Sequence, residues 1–240
     1  MELNRPLLKQ QARGLIQTAQ PSVVFTSAIY VALSALASFL SARLVGISYA
    51  TLERYMNFVQ QGKVDYALSV LSASMPSTPA ILINAALELA MAIVGVGFTL
   101  FILNTVRGTG AATGNLLDGF AIFWRIILLN LVRSVFVFLW SLLLIVPGII
   151  AAYRYSLSIY ILLDHPEYGV MDCIRESKAL TAGRKGELFK LDLSFLGWQL
   201  LSSLPYVGYL ISVWVTPYYM LTHAMYYERY CGNVPAPEYL

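Results

Sequence analysis

Glu88 and Arg154 are the residues whose chemistry stands out first, because each lies inside a long apolar run where an ionised side chain is expensive. Glu88 is nine residues past Pro79, ~13 Å along a helix that rises about 1.5 Å per residue. Arg154 is seven past Pro147, ~10 Å by the same rise. Matching depth would let the two pair, either to fix helix registry or to line a polar path. Registry is the simpler role, since one pair is little for an ion path. Arg133, set deeper toward the other side, can snorkel out. A second constellation is Arg184-Lys185, placed to meet anionic headgroups at ~1 kcal/mol each.

Other chemistry is poorly represented. His165 and His223 lack partners at ligand spacing, which argues against a metal centre. Arg107-Gly108-Thr109-Gly110 contains GxG after an apolar run and no strand, so it reads as a flexible turn and not a phosphate cradle. No HExxH, GxSxG, P-loop or paired-aspartate motif occurs. Hence no catalytic, cofactor-binding or metal-binding residue is assigned, no cofactor is expected, and a non-enzymatic chain is.

The elements that must position these residues follow from composition. Hydrophobic residues make up 58% of the 240 and charged residues 12%, against roughly 25% charged in soluble domains. The mean hydropathy of +0.65 comes from apolar blocks, as membrane spans require. Two cysteines, Cys173 and Cys231, are too few for a disulfide framework. The absence of a basic, aromatic-interleaved stripe excludes nucleic acid as a natural partner.

Residues 1–21 carry Arg5, Lys9 and Arg13 with a loose apolar stripe, either a short interfacial helix or a disordered basic leader. Val23–Leu44 exceeds a secretory apolar core in length and reads as an anchor, although Ala35-Leu36-Ala37 resembles a cleavage site. Apolar residues at three- and four-residue steps predict two short amphipathic helices between 45 and 78, separated near Gly62. Further spans are predicted at about 80–103, 127–146, 149–163, 188–204 and 209–227. Pro147-Gly148 and Pro205-Tyr206-Val207-Gly208 are read as tight tips, and Pro217 as a kink in the last span. Asp164 and Pro166 read as the N-cap and first turn of an amphipathic helix over 166–182 that ends at Gly183. Its Val170, Cys173, Ile174, Ser177 and Leu180 share one face. Gly95, Gly97 and Gly197 would allow close helix packing, and the tyrosines and tryptophans near span ends fit an aromatic belt.

Basic residues gather in alternate connections: the N-terminus, the links holding Arg107 and Arg125, and Arg175, Lys178, Arg184 and Lys185. The two tips hold none, which by the positive-inside rule puts both termini in the cytoplasm.

Several stretches resemble a family of bacterial integral membrane proteins catalogued as domain of unknown function 975. Trp140-Ser141-Leu142-Leu143-Leu144-Ile145-Val146-Pro147-Gly148-Ile149-Ile150 is similar to its hairpin motif. Tyr160 to Pro166, Glu176 to Leu180, Leu193 to Trp198 and Pro217-Tyr218-Tyr219 continue the likeness over nearly the whole chain, most specifically from Gly97. Thr181-Ala182-Gly183 and Leu204-Pro205 depart from it. The resemblance implies a membrane architecture and no reaction.

The sequence therefore predicts an all-α integral membrane protein with six transmembrane helices and a cytoplasmic amphipathic helix between spans four and five. A cytoplasmic segment 1–21 leads into the membrane domain 22–230, and 231–240 is a cytoplasmic tail. The expected location is the plasma membrane, and the expected partners are membrane lipids and a protein at the cytoplasmic face. The leading reading is a protein that organises lipids or partners. The alternative is a small transporter or channel that uses Glu88 and Arg154.

Overall fold

The computed structural model describes residues 4–46, 49–204 and 207–231, with only the backbone at 49, 50, 230 and 231. The expectations on Pro205-Tyr206, on the Cys231 side chain and on the tail to Leu240 lie outside the described residues. Every regular element among the described residues is helical. In order these are α1 Arg5–Thr18, α2 Val23–Val45, α3 Tyr49–Gln60, α4 Val64–Ala73, α5 Thr78–Arg107 and α6 Asn115–Asp118. A 3-10 turn over Gly119–Ile122 leads to α7 Phe123–Leu143, α8 Ile145–Arg154, α9 Ser158–Asp164 and α10 Val170–Leu180. The chain closes with α11 Lys185–Leu193, α12 Leu196–Ser202 and α13 Val207–Cys231.

Four stretches are long and apolar enough to cross a membrane: Val23–Val45, Thr78–Arg107, Asn115–Leu143 and Ile145–Asp164. They cover the first four expected spans. Residues 188–204 are divided between α11 and α12, because 194 and 195 leave the α-helix. The 25-residue α13 is diluted by Tyr209, Tyr218, Tyr219, His223, Tyr226, Tyr227 and Glu228.

The chain forms two compact units, Ala32–Ala92 and a larger one of Met1–Val31 with Ile93–Leu240. In the smaller unit α3 and α4 meet as the apolar spacing predicts. Gly62 between them has φ +72°, a left-handed conformation that costs glycine little. Phe58 and Tyr66 stack across this turn with ring centroids 5.9 Å apart.

The core of the larger unit draws Phe98, Phe101, Ile102 and Leu103 from α5, with Ile126 and Leu129 from α7. Ile161 of α9, Leu188 and Leu191 of α11, and Tyr218, Leu221, Tyr226 and Tyr227 of α13 complete it. Elsewhere the apolar surface turns outward. Only 11% of the apolar window of Asn115–Leu143 is buried, and Phe138, Leu142, Leu143 and Ile145 are 62–78% exposed. An apolar band of that extent needs a non-aqueous neighbour.

Two local expectations are revised, and one left open is settled. The tip between α7 and α8 is Leu144, in an extended conformation, while Pro147 falls in the first turn of α8. Proline is tolerated there because a first-turn N–H has no partner inside the helix. Gly148 serves a close approach instead of the reversal, since a Cβ on it would run into Ser141 of α7. Asp164 is not an N-cap: it is the last residue of α9, and α10 begins at Val170 behind Gly169, whose N–H donates to Asp172 at 3.3 Å. The N-terminal segment is a helix, with the Asn4 side chain accepting from Leu7 N–H at 3.1 Å and Leu8, Ala12 and Ile16 buried.

Candidate functional site

Three helices of the larger unit end at one polar junction. Arg107 is the last residue of α5, Asp164 the last of α9, and Glu228 lies in the last turn of α13. The planar guanidinium matches a carboxylate edge to edge, and here both Nη atoms donate to the Asp164 oxygens at 2.7 Å. The remaining Nε donates to Glu228 Oε1, also at 2.7 Å. Tyr227 donates its hydroxyl to Asp164 Oδ2 at 2.7 Å, and its ring stacks on Tyr160 with centroids 5.1 Å apart. The side chains of Asp164 and Glu228 are only 8% and 6% exposed. Two carboxylates thus stand at the negative ends of helix dipoles, where anions are disfavoured, and one guanidinium offsets both. Glu228 Oε2 is buried without a hydrogen-bond partner.

One face of α13 continues the polar theme. Tyr219, His223 and Tyr227 are four residues apart, so they form one stripe. Asp192 of α11 accepts from the Tyr219 hydroxyl at 3.0 Å and meets His223 Nε2 at 2.7 Å. The Tyr219 and His223 rings lie 4.3 Å apart. His223 therefore has a carboxylate partner that sequence spacing gave no hint of.

The third polar feature is the docking of α1. Arg5 donates to the Lys190 carbonyl at 3.4 Å, Lys9 to the Ser194 carbonyl at 3.0 Å, and Arg13 to the Tyr218 hydroxyl at 3.1 Å. The two carbonyls belong to the C-terminal end of α11, where the negative end of the helix dipole attracts cations. Burial pulls the Lys9 ammonium below its usual range, helped by the neighbouring charges of Arg13 and Arg5.

The family model described as "Protein of unknown function (DUF975)" matches residues 8–233. The chain belongs to the DUF975 family. No curated protein and no solved structure matches it. The stretches that carry the resemblance to DUF975 include several of the residues just described: Asp164 and Tyr160 in one, Ser194 in another, Tyr218 and Tyr219 in a third.

The residues singled out from the DUF975 sequence fall elsewhere. Glu88 is exposed on the part of α5 that belongs to the smaller unit. Arg154 ends α8 in the larger unit, half-buried, and its Nε is buried without a hydrogen-bond partner. No ion pair among the described residues includes either. The Arg154 carbonyl does have partners: Ser177 and Thr181 hydroxyls donate to it at 3.0 and 3.2 Å, fastening α10 to the end of α8. Cys173, Ile174 and Ser177 of α10 are buried, while Asp172, Arg175, Glu176 and Lys178 are exposed. Burial also raises the Cys173 thiol above its usual range. Arg184 and Lys185 are half-buried at the opening of α11.

Proposed function

We propose that this is a multi-pass membrane protein of six spans that organises lipids or a protein partner and performs no reaction of its own. The observation that carries the reading is the Arg107–Asp164–Glu228–Tyr227 junction, where the guanidinium and both carboxylates pair within the protein. Cavities of about 410 and 390 Å³ lie elsewhere, lined by neither Arg107, Asp164 nor Glu228. A catalytic or transport site would present such charges to a space that a substrate could enter.

The same junction supports the six-span topology. The C-terminal ends of α5, α9 and α13 meet, so these helices finish at one level. For α13 to finish where α9 does, the chain between Asp164 and Val207 must first return across the same thickness. Among the described residues the long helical segment available is 185–202, the interrupted pair α11 and α12. The excess of basic residues near these ends supports reading that level as the cytoplasmic face, with both termini on it and the plasma membrane as the location. α10 lies on the same side, and Arg184 and Lys185 follow it as headgroup contacts.

Reconstitution tests the reading. Purified chain in vesicles should resist extraction at alkaline pH, should hydrolyse neither lipid nor peptide, and should lose affinity for anionic headgroups after Arg184→Gln with Lys185→Gln. Substrate flux in those vesicles that Glu88→Gln abolishes would instead establish the transporter reading. The unpartnered Arg154 Nε favours that second reading, because a buried guanidinium donor normally has an acceptor.

A further inference from the structure

We infer that Arg5, Lys9 and Arg13 of α1, together with the end of α11, form a binding site for the phosphate of an anionic lipid headgroup. Spacing by four puts the three cations on one helix face. They line a groove of about 410 Å³ with Pro6, Gln10 and Ser194, and among the described residues no carboxylate lines it. Their partners among the described residues are uncharged: the Lys190 and Ser194 carbonyls, the Tyr218 hydroxyl, the Phe195 ring 4.1 Å from Lys9, and the Tyr218 ring 5.3 Å from Arg13. Among the described residues no ion pair offsets this charge. Burial, and after it the charges of Arg13 and Arg5, hold the Lys9 ammonium below its usual range, and an anion in the groove would offset the second of these causes.

The existing contacts position the cations without exhausting them. A guanidinium and an ammonium carry several N–H donors each. Arg5 commits one Nη, Arg13 its Nε and Lys9 one N–H, so the remaining donors are available to phosphate oxygens.

A lipid is the source of that phosphate because apolar surface borders the groove. Leu7 on α1 is 42% exposed, and Leu193 and Leu196 on either side of Ser194 are 55% and 47% exposed. Trp198 and Trp214 stand nearby in the chain with ring centroids 5.9 Å apart, in keeping with an interfacial belt. A free phosphate ion has no use for exposed leucine, whereas acyl chains do. The inference rests on the membrane reading above, and the experiment separates the two.

The full chain is reconstituted in nanodiscs of mixed phosphatidylglycerol and phosphatidylcholine, and the lipids retained on release are counted by native mass spectrometry. The wild type should retain phosphatidylglycerol preferentially. Arg5→Gln, Lys9→Gln and Arg13→Gln together should cut that preference about a hundredfold, since each charge near a headgroup contributes about fivefold. Arg13→Gln alone should cut it about fivefold by the same measure, which keeps the test open if the triple variant folds poorly. Arg5→Lys with Arg13→Lys should keep most of it, and millimolar inorganic phosphate should not compete. An unchanged preference in the triple and single variants, with helicity intact by circular dichroism, overturns the site. Equal competition by inorganic phosphate overturns the lipid source. A chain washed off vesicles at alkaline pH overturns the membrane reading and the lipid source with it, a result distinct from an inserted chain that ignores headgroup charge.

Discussion

Arg107 grips Asp164 with both Nη atoms, each 2.7 Å from a carboxylate oxygen, and this fork ties the last residue of α5 to the last residue of α9. The same guanidinium also reaches Glu228, through Nε and one Nη, and so adds α13. Three helix ends, each the negative end of a helix dipole, are thereby gathered around one cation that suits them. Removing the cation leaves two buried carboxylates facing each other, so the junction holds or fails as a unit.

Arg107→Gln should destabilise the protein by about 3–5 kcal/mol, the range for breaking a buried pair by removing one partner. Asp164→Asn should cost a similar amount, and the double variant should recover part of the sum. Thermal unfolding in detergent reads both effects. Strictly additive losses would show that the two side chains do not act on each other.

Tyr227→Phe is a milder probe of the same junction. It deletes a hydroxyl donor to a charged acceptor, a bond of about 1.5–3 kcal/mol, and keeps the ring that stacks on Tyr160. The loss should be smaller than that of Arg107→Gln in the same assay. A loss equal to or greater than it would place the strength of the junction in the tyrosine pair and not in the guanidinium.

Gly148→Ala probes the crossing of α7 and α8. The added methyl would collide with Ser141, and overpacking of this kind costs about 1–3 kcal/mol. Combining it with Ser141→Gly should restore most of the stability lost to the methyl. If Gly148→Ala is as stable as the wild type, the close approach is absent.

Cys173 is fully buried, and burial raises its thiol, so both access and thiolate supply are low. In a Cys231→Ser background the folded protein in detergent should resist maleimide and react only on denaturation. Rapid labelling of the folded protein would contradict the packing of α10. Silence at Cys173 consequently says nothing about which side of a membrane it occupies, and topology has to be read at exposed positions.

Much of the helical framework was legible because it follows from local periodicity. The four long apolar stretches, and the break between α3 and α4 at Gly62, are properties of neighbouring residues. The junction was not legible. Arg107 and Asp164 are 57 residues apart, and Asp164 followed by Pro166 has a self-sufficient local explanation as a helix cap. That local signal hid the distant partner. Pro147-Gly148 misled in a related way: the pair has the chemistry of a turn, yet the proline fits the first turn of α8 and the glycine admits Ser141. The Arg5, Lys9 and Arg13 spacing was visible, but two of the three acceptors are backbone carbonyls of α11 and its edge, and backbone acceptors leave no trace in side-chain patterns.

Side-specific labelling of introduced cysteines in intact cells tests the central claim, six crossings with the ends of α5, α9 and α13 on the cytoplasmic face. In a Cys173→Ala, Cys231→Ser background, Thr109→Cys, Glu176→Cys and Ser203→Cys each offer an exposed position. An impermeant maleimide should label position 203 from outside, and positions 109 and 176 only after permeabilisation. Labelling of 109 or 176 from outside, or of 203 on the same side as both, would contradict the six-span account.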